Sequence, residues 1–209
     1  MGRGFTLIEL VVVMVIVAVL AAVLTPMVTG YIDESRSAAA QADTRSIGEA
    51  IIRFEKDVGR YPMYSTITNK TVLPDSLADV QRLVGTGLVP ASSLGSSNWS
   101  ETLTDSGCTA QGCQADGLSD QLMSNAPAYT SAAGGSPAKQ FRWKGPYIDV
   151  TSDPWGDAYL VNIINCKPSS PDACFVLSAG PNGKVDTNFD LPKSSAVTPS
   201  GDDIIFRIK

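Results

Sequence analysis

Gly4-Phe5-Thr6-Leu7-Ile8-Glu9-Leu10 opens an apolar run that continues to Val28, and its reading decides how the rest of the chain is built. After Glu9 no charged residue occurs before Asp33, and every position from Leu10 to Leu24 is apolar. About 20 such residues in a helix cross a bilayer core. The run is therefore long enough to span a membrane, with one carboxylate inside its first turns. Insertion scales put an ionised side chain in such a helix at a cost of about 2.5–3.5 kcal/mol, so an acid there points to function. A signal anchor carrying a stray acid is the plainer reading. It leaves unexplained why only Met1-Gly2-Arg3-Gly4 precede the run.

The stretch resembles the prepilin (class III) signal shared by type IV pilins and the pseudopilins of type II secretion. The resemblance implies that a prepilin peptidase cuts between Gly4 and Phe5 and then N-methylates Phe5. Arg3 stays on the cytoplasmic side, in line with the positive-inside tendency. The bare Gly4 suits the cut, since a side chain there would crowd the protease. Residues 1–4 would be lost and the apolar helix kept, unlike a secretory signal peptide. The resemblance further implies that Glu9 pairs with the Phe5 ammonium of a neighbouring subunit in a filament. Two buried charges are tolerable when paired, whereas a stranded one is strongly destabilising. Such a pair adds little net stability but selects axial register.

The chain has 209 residues, room for one modest globular domain besides the anchor, and its net charge is −5. That balance argues against nonspecific binding to nucleic acid or anionic lipid. There is no histidine, which removes His-activated nucleophiles and the commonest transition-metal ligand. No nucleophile elbow, phosphate loop or metal-ligand cluster stands out. Asp202-Asp203 is a carboxylate pair, but neighbours in a strand face opposite ways and cannot share acid–base work.

Beyond the apolar run, Thr25-Pro26 is expected to interrupt the helix, with Gly30 weakening it again. Pro26 also matches a proline of many pilins and pseudopilins, where the resemblance implies local unwinding on assembly. From Tyr31 the pattern turns amphipathic. Ile47, Ile51, Phe54 and Val58 share one helical face, and Glu49 stands four residues before Arg53. Gly59 is the expected cap, before Arg60-Tyr61-Pro62. Phe5 to Val58 would form one helix about 80 Å long at about 1.5 Å per residue.

A short helix is expected around Asp75 to Val84, ending near Gly85. Residues from about Ala91 to Gln140 are rich in Ser, Gly, Thr and Ala and read as an exposed, irregular insertion, with a helix near Leu118 to Met123. Four strands are expected at Phe141–Val150, Tyr159–Ile164, Cys174–Ser178 and Ile204–Ile208, with a tight turn at Asp153-Pro154-Trp155-Gly156. The fold class is α+β, a long N-terminal helix packed on a small antiparallel sheet. The expected organisation is a leader at 1–4, a transmembrane or filament-core helix at 5–30, an amphipathic helix at 31–60, a short helix and insertion at 61–140, and a sheet with a C-terminal loop at 141–209.

Four cysteines in an exported domain suggest disulfides, and three pairings are open. Cys108–Cys113 and Cys166–Cys174 are favoured because each closes a short local loop, contributing roughly 2–3 kcal/mol if unstrained. A zinc site built from all four is the rival, disfavoured by spacing and compartment.

Trp143-Lys-Gly-Pro-Tyr147, Asp153-Pro-Trp-Gly156, Tyr159, Ser178-Ala-Gly180 and Gly201-Asp-Asp-Ile204 are similar to the major pseudopilin of type II secretion. The insertion between the matched parts and the cysteines depart from the usual compact form of that family. The resemblance implies a structural subunit of a helical pseudopilus that drives protein export across the outer membrane. A type IV pilus subunit serving adhesion, motility or DNA uptake is the alternative, and a membrane-anchored enzyme or binding domain the remaining class. Implied partners are the prepilin peptidase, identical subunits, minor pseudopilins, an inner-membrane assembly platform and the membrane itself. The implied placement is a single pass of the inner membrane with the C-terminal domain in the periplasm. Major pseudopilins also hold one calcium in a C-terminal loop. By position Asn182 and Asp203 match its ligands here, with Asp186 and Asp202 as nearby candidates and backbone carbonyls completing the shell; a solvated turn with scattered acids is the plainer reading.

Overall fold

The computed structural model describes residues 5–63, 80–94, 99, 115–125, 143–149, 151–194 and 196–209. Helix α1 runs over Leu7–Val58 and α2 over Leu118–Leu122. The strands are β1 (Arg82–Val84), β2 (Ala91–Ser92), β3 (Ala115–Gly117), β4 (Leu160–Val161), β5 (Phe175–Ser178), β6 (Lys184–Val185) and β7 (Ile204–Arg207). Contacts divide the chain into Met1–Ala38 and Ala39–Lys209.

In the first unit, from Leu10 to Leu24, α1 is apolar on all sides and exposed on all sides; Leu10 is 52% and Met14 66% accessible. It is long and apolar enough to cross a membrane. The helix runs unbroken through Thr25-Pro26, against the expected interruption. Proline removes one backbone donor, but hydroxyls supply bonds on either side of it. Thr25 Oγ1 donates to the Ala21 carbonyl at 2.7 Å, and Thr29 Oγ1 to the Pro26 carbonyl at 3.0 Å.

The second unit is α+β, with a sheet of order β3-β1-β4-β5-β7 and a separate parallel pair, β2-β6. The larger sheet is mixed rather than antiparallel, because β3 joins β1 in parallel register. Side chains alternate across it, as strand geometry requires. Leu83, Tyr159, Val161, Cys174 and Val176 face the helical stripe of Ile47, Ile51, Phe54 and Val58. Val84, Leu160, Phe175 and Leu177 point the other way, onto Trp99, Val185 and Phe189. Burying a side chain such as Phe54 stabilises by about 1.5–3 kcal/mol, so this stripe fastens helix to sheet. Tyr159 adds a polar contact, its phenol donating to Asp43 Oδ2 at 2.9 Å. Burial and that bond push the phenol far above its ordinary range.

Gly48 lies on the same stretch of helix. A Cβ there would collide with the Phe206 ring, so only glycine lets β7 come this close. Gly59, at φ +78°, caps the helix as expected and donates to the Glu55 carbonyl at 2.7 Å. Glu49 pairs backward with Arg45 at 2.9 Å.

Four local expectations are corrected. Arg82–Val84 is a fully buried strand, not the end of a helix, because it pairs on both edges; residues 75–79 lie outside the described residues. Of Phe141–Val150, Trp143–Asp149 forms no strand, since Gly145-Pro146 cannot maintain a ladder. Only Leu160–Val161 pairs within Tyr159–Ile164, and Ile163–Cys166 turns into a 3-10 helix. The insertion is not wholly exposed: Trp99, Leu118 and Leu122 are fully buried.

Cys166 and Cys174 form a disulfide whose sulfur-bearing residues lie in the core beneath α1. Cys108 and Cys113 lie outside the described residues.

Candidate functional site

Two regions carry the residues singled out from sequence. At the start of α1, Glu9 Oε2 accepts from the Thr6 backbone N–H at 2.9 Å and from Thr6 Oγ1 at 2.7 Å. In return Thr6 Oγ1 accepts from the Glu9 N–H at 3.4 Å. This reciprocal arrangement is a capping box, in which Thr-x-x-Glu satisfies donors that a helix start leaves open. The Thr-x-x-Glu spacing of Thr6 and Glu9 is the sequence signal for it, separate from the prepilin-like motif. Phe5 is 79% exposed beside this box, and Gly4 lies outside the described residues. Pro26 sits inside the helix, also exposed.

The second region is the C-terminal loop. Gly180–Asn182 makes a 3-10 turn, and Gly180 at φ +66° faces the Asp202 carbonyl so closely that any Cβ would collide. Asn182, Asp186, Asp202 and Asp203 come together here. Asp202 Oδ2 accepts from the Asn182 N–H at 2.9 Å. Asp203 Oδ2 accepts from the N–H groups of Asp186 at 3.0 Å and Thr187 at 2.6 Å. Asn182 Nδ2 donates to Asp186 Oδ2 at 3.1 Å. Asp202 and Asp203 precede β7 rather than lying in it, and both reach the 182–187 segment. The strand argument that set them on opposite faces therefore does not apply.

Two oxygens are left over. Asp202 Oδ1 and Asp203 Oδ1 are buried with no hydrogen-bond partner among the described residues. Asp203 is only 4% exposed, and burial pushes its carboxyl above the ordinary value despite the bonds from Thr187 and Asp186. A buried carboxylate oxygen without a donor is costly, and a cation or proton would relieve it. The donor set is all oxygen, which suits calcium. Among the described residues no three acidic, His or Cys side chains gather closely enough to hold a metal by themselves, so backbone carbonyls would complete any shell.

Asp153 organises the turn that precedes β4. Its Oδ1 accepts from the N–H groups of Trp155 at 3.0 Å and Asp157 at 2.8 Å, and its Oδ2 from Ser178 Oγ at 2.7 Å. One carboxylate thus shapes the Asp-Pro-Trp-Gly turn and fastens it to the end of β5.

Residues 2–25 match the family model described as the prokaryotic N-terminal methylation motif. The match supports a type IV pilin-like protein, and implies processing by a prepilin peptidase and filament assembly in general. The apolar helix and the motif are together consistent with membrane anchoring. No curated protein and no solved structure matches the chain.

Proposed function

We propose that the chain is a structural subunit of the helical pseudopilus of a type II secretion system, cut after Gly4, methylated on Phe5 and without catalysis of its own. The observation that carries this reading is Asp153, whose carboxylate ties the Asp-Pro-Trp-Gly turn to Ser178. Turn and strand end are the features that resemble the major pseudopilin, and here they form one bonded unit. In the assembled filament, Glu9 neutralises the Phe5 ammonium of a neighbouring subunit and fixes axial register. Minor pseudopilins and an inner-membrane platform complete the assembly, with the head in the periplasm.

Deleting the chromosomal copy tests it. Exported enzymes should then collect in the periplasm, with surface motility and DNA uptake intact. Normal export with lost motility, adhesion or DNA uptake would instead favour a type IV pilus subunit. The motif at 2–25 is shared by both assemblies and keeps that reading alive.

Calcium belongs to the same proposal. The ligands carried over are Asn182, Asp186, Asp202 and Asp203; as no three acidic side chains among the described residues stand close enough to hold the ion unaided, backbone carbonyls would complete the shell, and its charge would satisfy the two orphaned carboxylate oxygens. A chelator should lower the melting temperature of the full-length protein in detergent, and calcium but not magnesium should restore it. Melting curves indifferent to calcium, with no further loss on Asp203→Ala, would remove the metal from the proposal.

A further inference from the structure

Cys166 and Cys174 are both wholly inaccessible, and they share one buried core with Ile47, Ile51, Phe54 and Val58 of α1. The backbone around them is pinned as well. Asn162, itself fully buried, accepts from the Phe175 N–H at 2.7 Å and donates to the Ala173 carbonyl at 2.9 Å. One amide thus holds the residues on both sides of Cys174. Cys174 in turn donates to the Lys209 carbonyl at 3.0 Å and accepts from the Ile208 N–H at 2.8 Å. The 3-10 helix that carries Cys166 is tied to the residue before β1, the Ile164 N–H donating to the Gln81 carbonyl at 3.0 Å. Between the cysteines the loop is fastened by Lys193, whose N–H donates to the Pro171 carbonyl at 3.0 Å and whose Nζ donates to the Ser170 carbonyl at 2.6 Å. Thiol–disulfide exchange needs an attacking thiolate to reach one of the two sulfurs. In the closed head neither sulfur is within reach.

We infer that the Cys166–Cys174 bond is made while the head is open and is sealed when the sheet docks on the Ile47–Val58 stripe, after which outside thiols reach it only through opening of the whole head. The partner that makes it is a disulfide donor working on the unclosed chain. One cysteine thiolate attacks the donor's disulfide and forms a mixed disulfide. The second thiolate then displaces the donor's sulfur, and the two electrons and two protons given up by the cysteines leave on the donor as a dithiol. A head that closes before this exchange keeps two buried thiols, because an apolar setting disfavours the thiolate and shuts the donor out. The redox state of the core is therefore set once, by whether oxidation outruns closure.

The test follows reduction of this bond in the full-length protein in detergent. Dithiothreitol is added, samples are quenched with an alkylating reagent, and peptide mapping by mass spectrometry reads Cys166 and Cys174 apart from Cys108 and Cys113. Reduction should be about a thousandfold or more slower than in urea-unfolded protein, since it tracks the population of the open head. Small additions of urea should speed it with the same slope as global unfolding. Phe54→Ala, a core truncation, should speed it about a hundredfold or more. Lys193→Ala, which frees only the loop between the cysteines, should stay within about twofold of wild type. Reduction of the native protein as fast as the unfolded one would overturn the inference. So would reduction that ignores urea, or that Lys193→Ala accelerates beyond that range. If Phe54→Ala does not fold, the urea slope and Lys193→Ala decide.

Discussion

Leu10–Leu24 and Ile47–Val58 are stretches of the same α-helix, and their side chains live in opposite surroundings. Leu10 and Leu24 are 52% and 53% accessible, whereas Ile51 and Phe54 are fully buried. A helix apolar all round offers no polar face to water and must be covered by lipid or by other chains. A helix with one apolar stripe can be covered by its own sheet. The first stretch therefore encodes association and the second encodes folding. Glu9 belongs to the first logic: a lone acid in an apolar helix does little for the head, and in the proposed filament it would set how copies line up.

The contrast is broken most severely at Glu9. Glu9→Ala should abolish filaments, since stranding one member of a buried pair costs on the order of 3–5 kcal/mol. Membrane insertion and the melting temperature of the head should be unchanged. Electron microscopy of sheared material checks the first point, and abundant mutant filaments would contradict the assigned role. Glu9→Gln should be nearly as defective, because an amide cannot balance an ammonium.

Phe54→Ala probes the other stretch and should cost the head about 3–5 kcal/mol as a core truncation. The same truncation of size at Ile16 should leave head stability untouched. Urea titrations of both variants would sharpen the comparison, and equal losses would dissolve it. Gly48→Ala comes next. Overpacking against Phe206 costs about 1–3 kcal/mol, outweighing the gain of about 1 kcal/mol that alanine brings to a helix. A raised melting temperature would show that the ring moves aside.

The smallest effect is expected at Asp57, whose Oδ1 meets Lys144 Nζ at 2.6 Å while its Oδ2 accepts from the Tyr147 hydroxyl at 3.2 Å. The Lys144 bond holds the Asp57 carboxyl below its ordinary value of 3.8. A lowered folded-state pKa stabilises above the unfolded value, and that contribution fades as pH falls through the folded one. Asp57→Asn should therefore lose at most about 1 kcal/mol at neutral pH, since the lysine is half exposed. The gap to wild type should close on acidification below the ordinary carboxylate range. A gap that persists in acid would point to packing instead.

What was legible in the sequence was local. The stripe Ile47–Val58, the Gly59 cap and the Asp153 turn each depend on residues within a few positions of one another, and each stands in the structure. Arg82-Leu83-Val84 misled because Leu77, Val80, Leu83 and Val84 mimic a helical face, whereas pairing with Val161 and Asp116 makes Leu83 a central strand residue. Trp99 sits in a polar run, and its burial against Phe175 and Phe189 depends on partners far along the chain. In the loop, Asn182, Asp186, Asp202 and Asp203 could be named from sequence, but Ser93, whose backbone N–H donates to the Val185 carbonyl, could not. Its place follows from the β2–β6 register, which no short pattern announces. Thr6 is legible as Thr-x-x-Glu, a local pattern that sets the cap from two residues three apart.

The meeting of Gly48 with Phe206 also bears on the order of events during folding. These residues stand nearly the whole length of the head apart in sequence, and β7 is the strand that completes the sheet beside β5. A chain made from its N-terminus presents the Ile47–Val58 stripe first, with nothing yet synthesised to cover it. The loop-closure cost of such distant contacts is met before they stabilise anything. The head thus closes last-in, around its final strand, and a chain halted before Ile204 would keep an open apolar seam for proteases and chaperones to find.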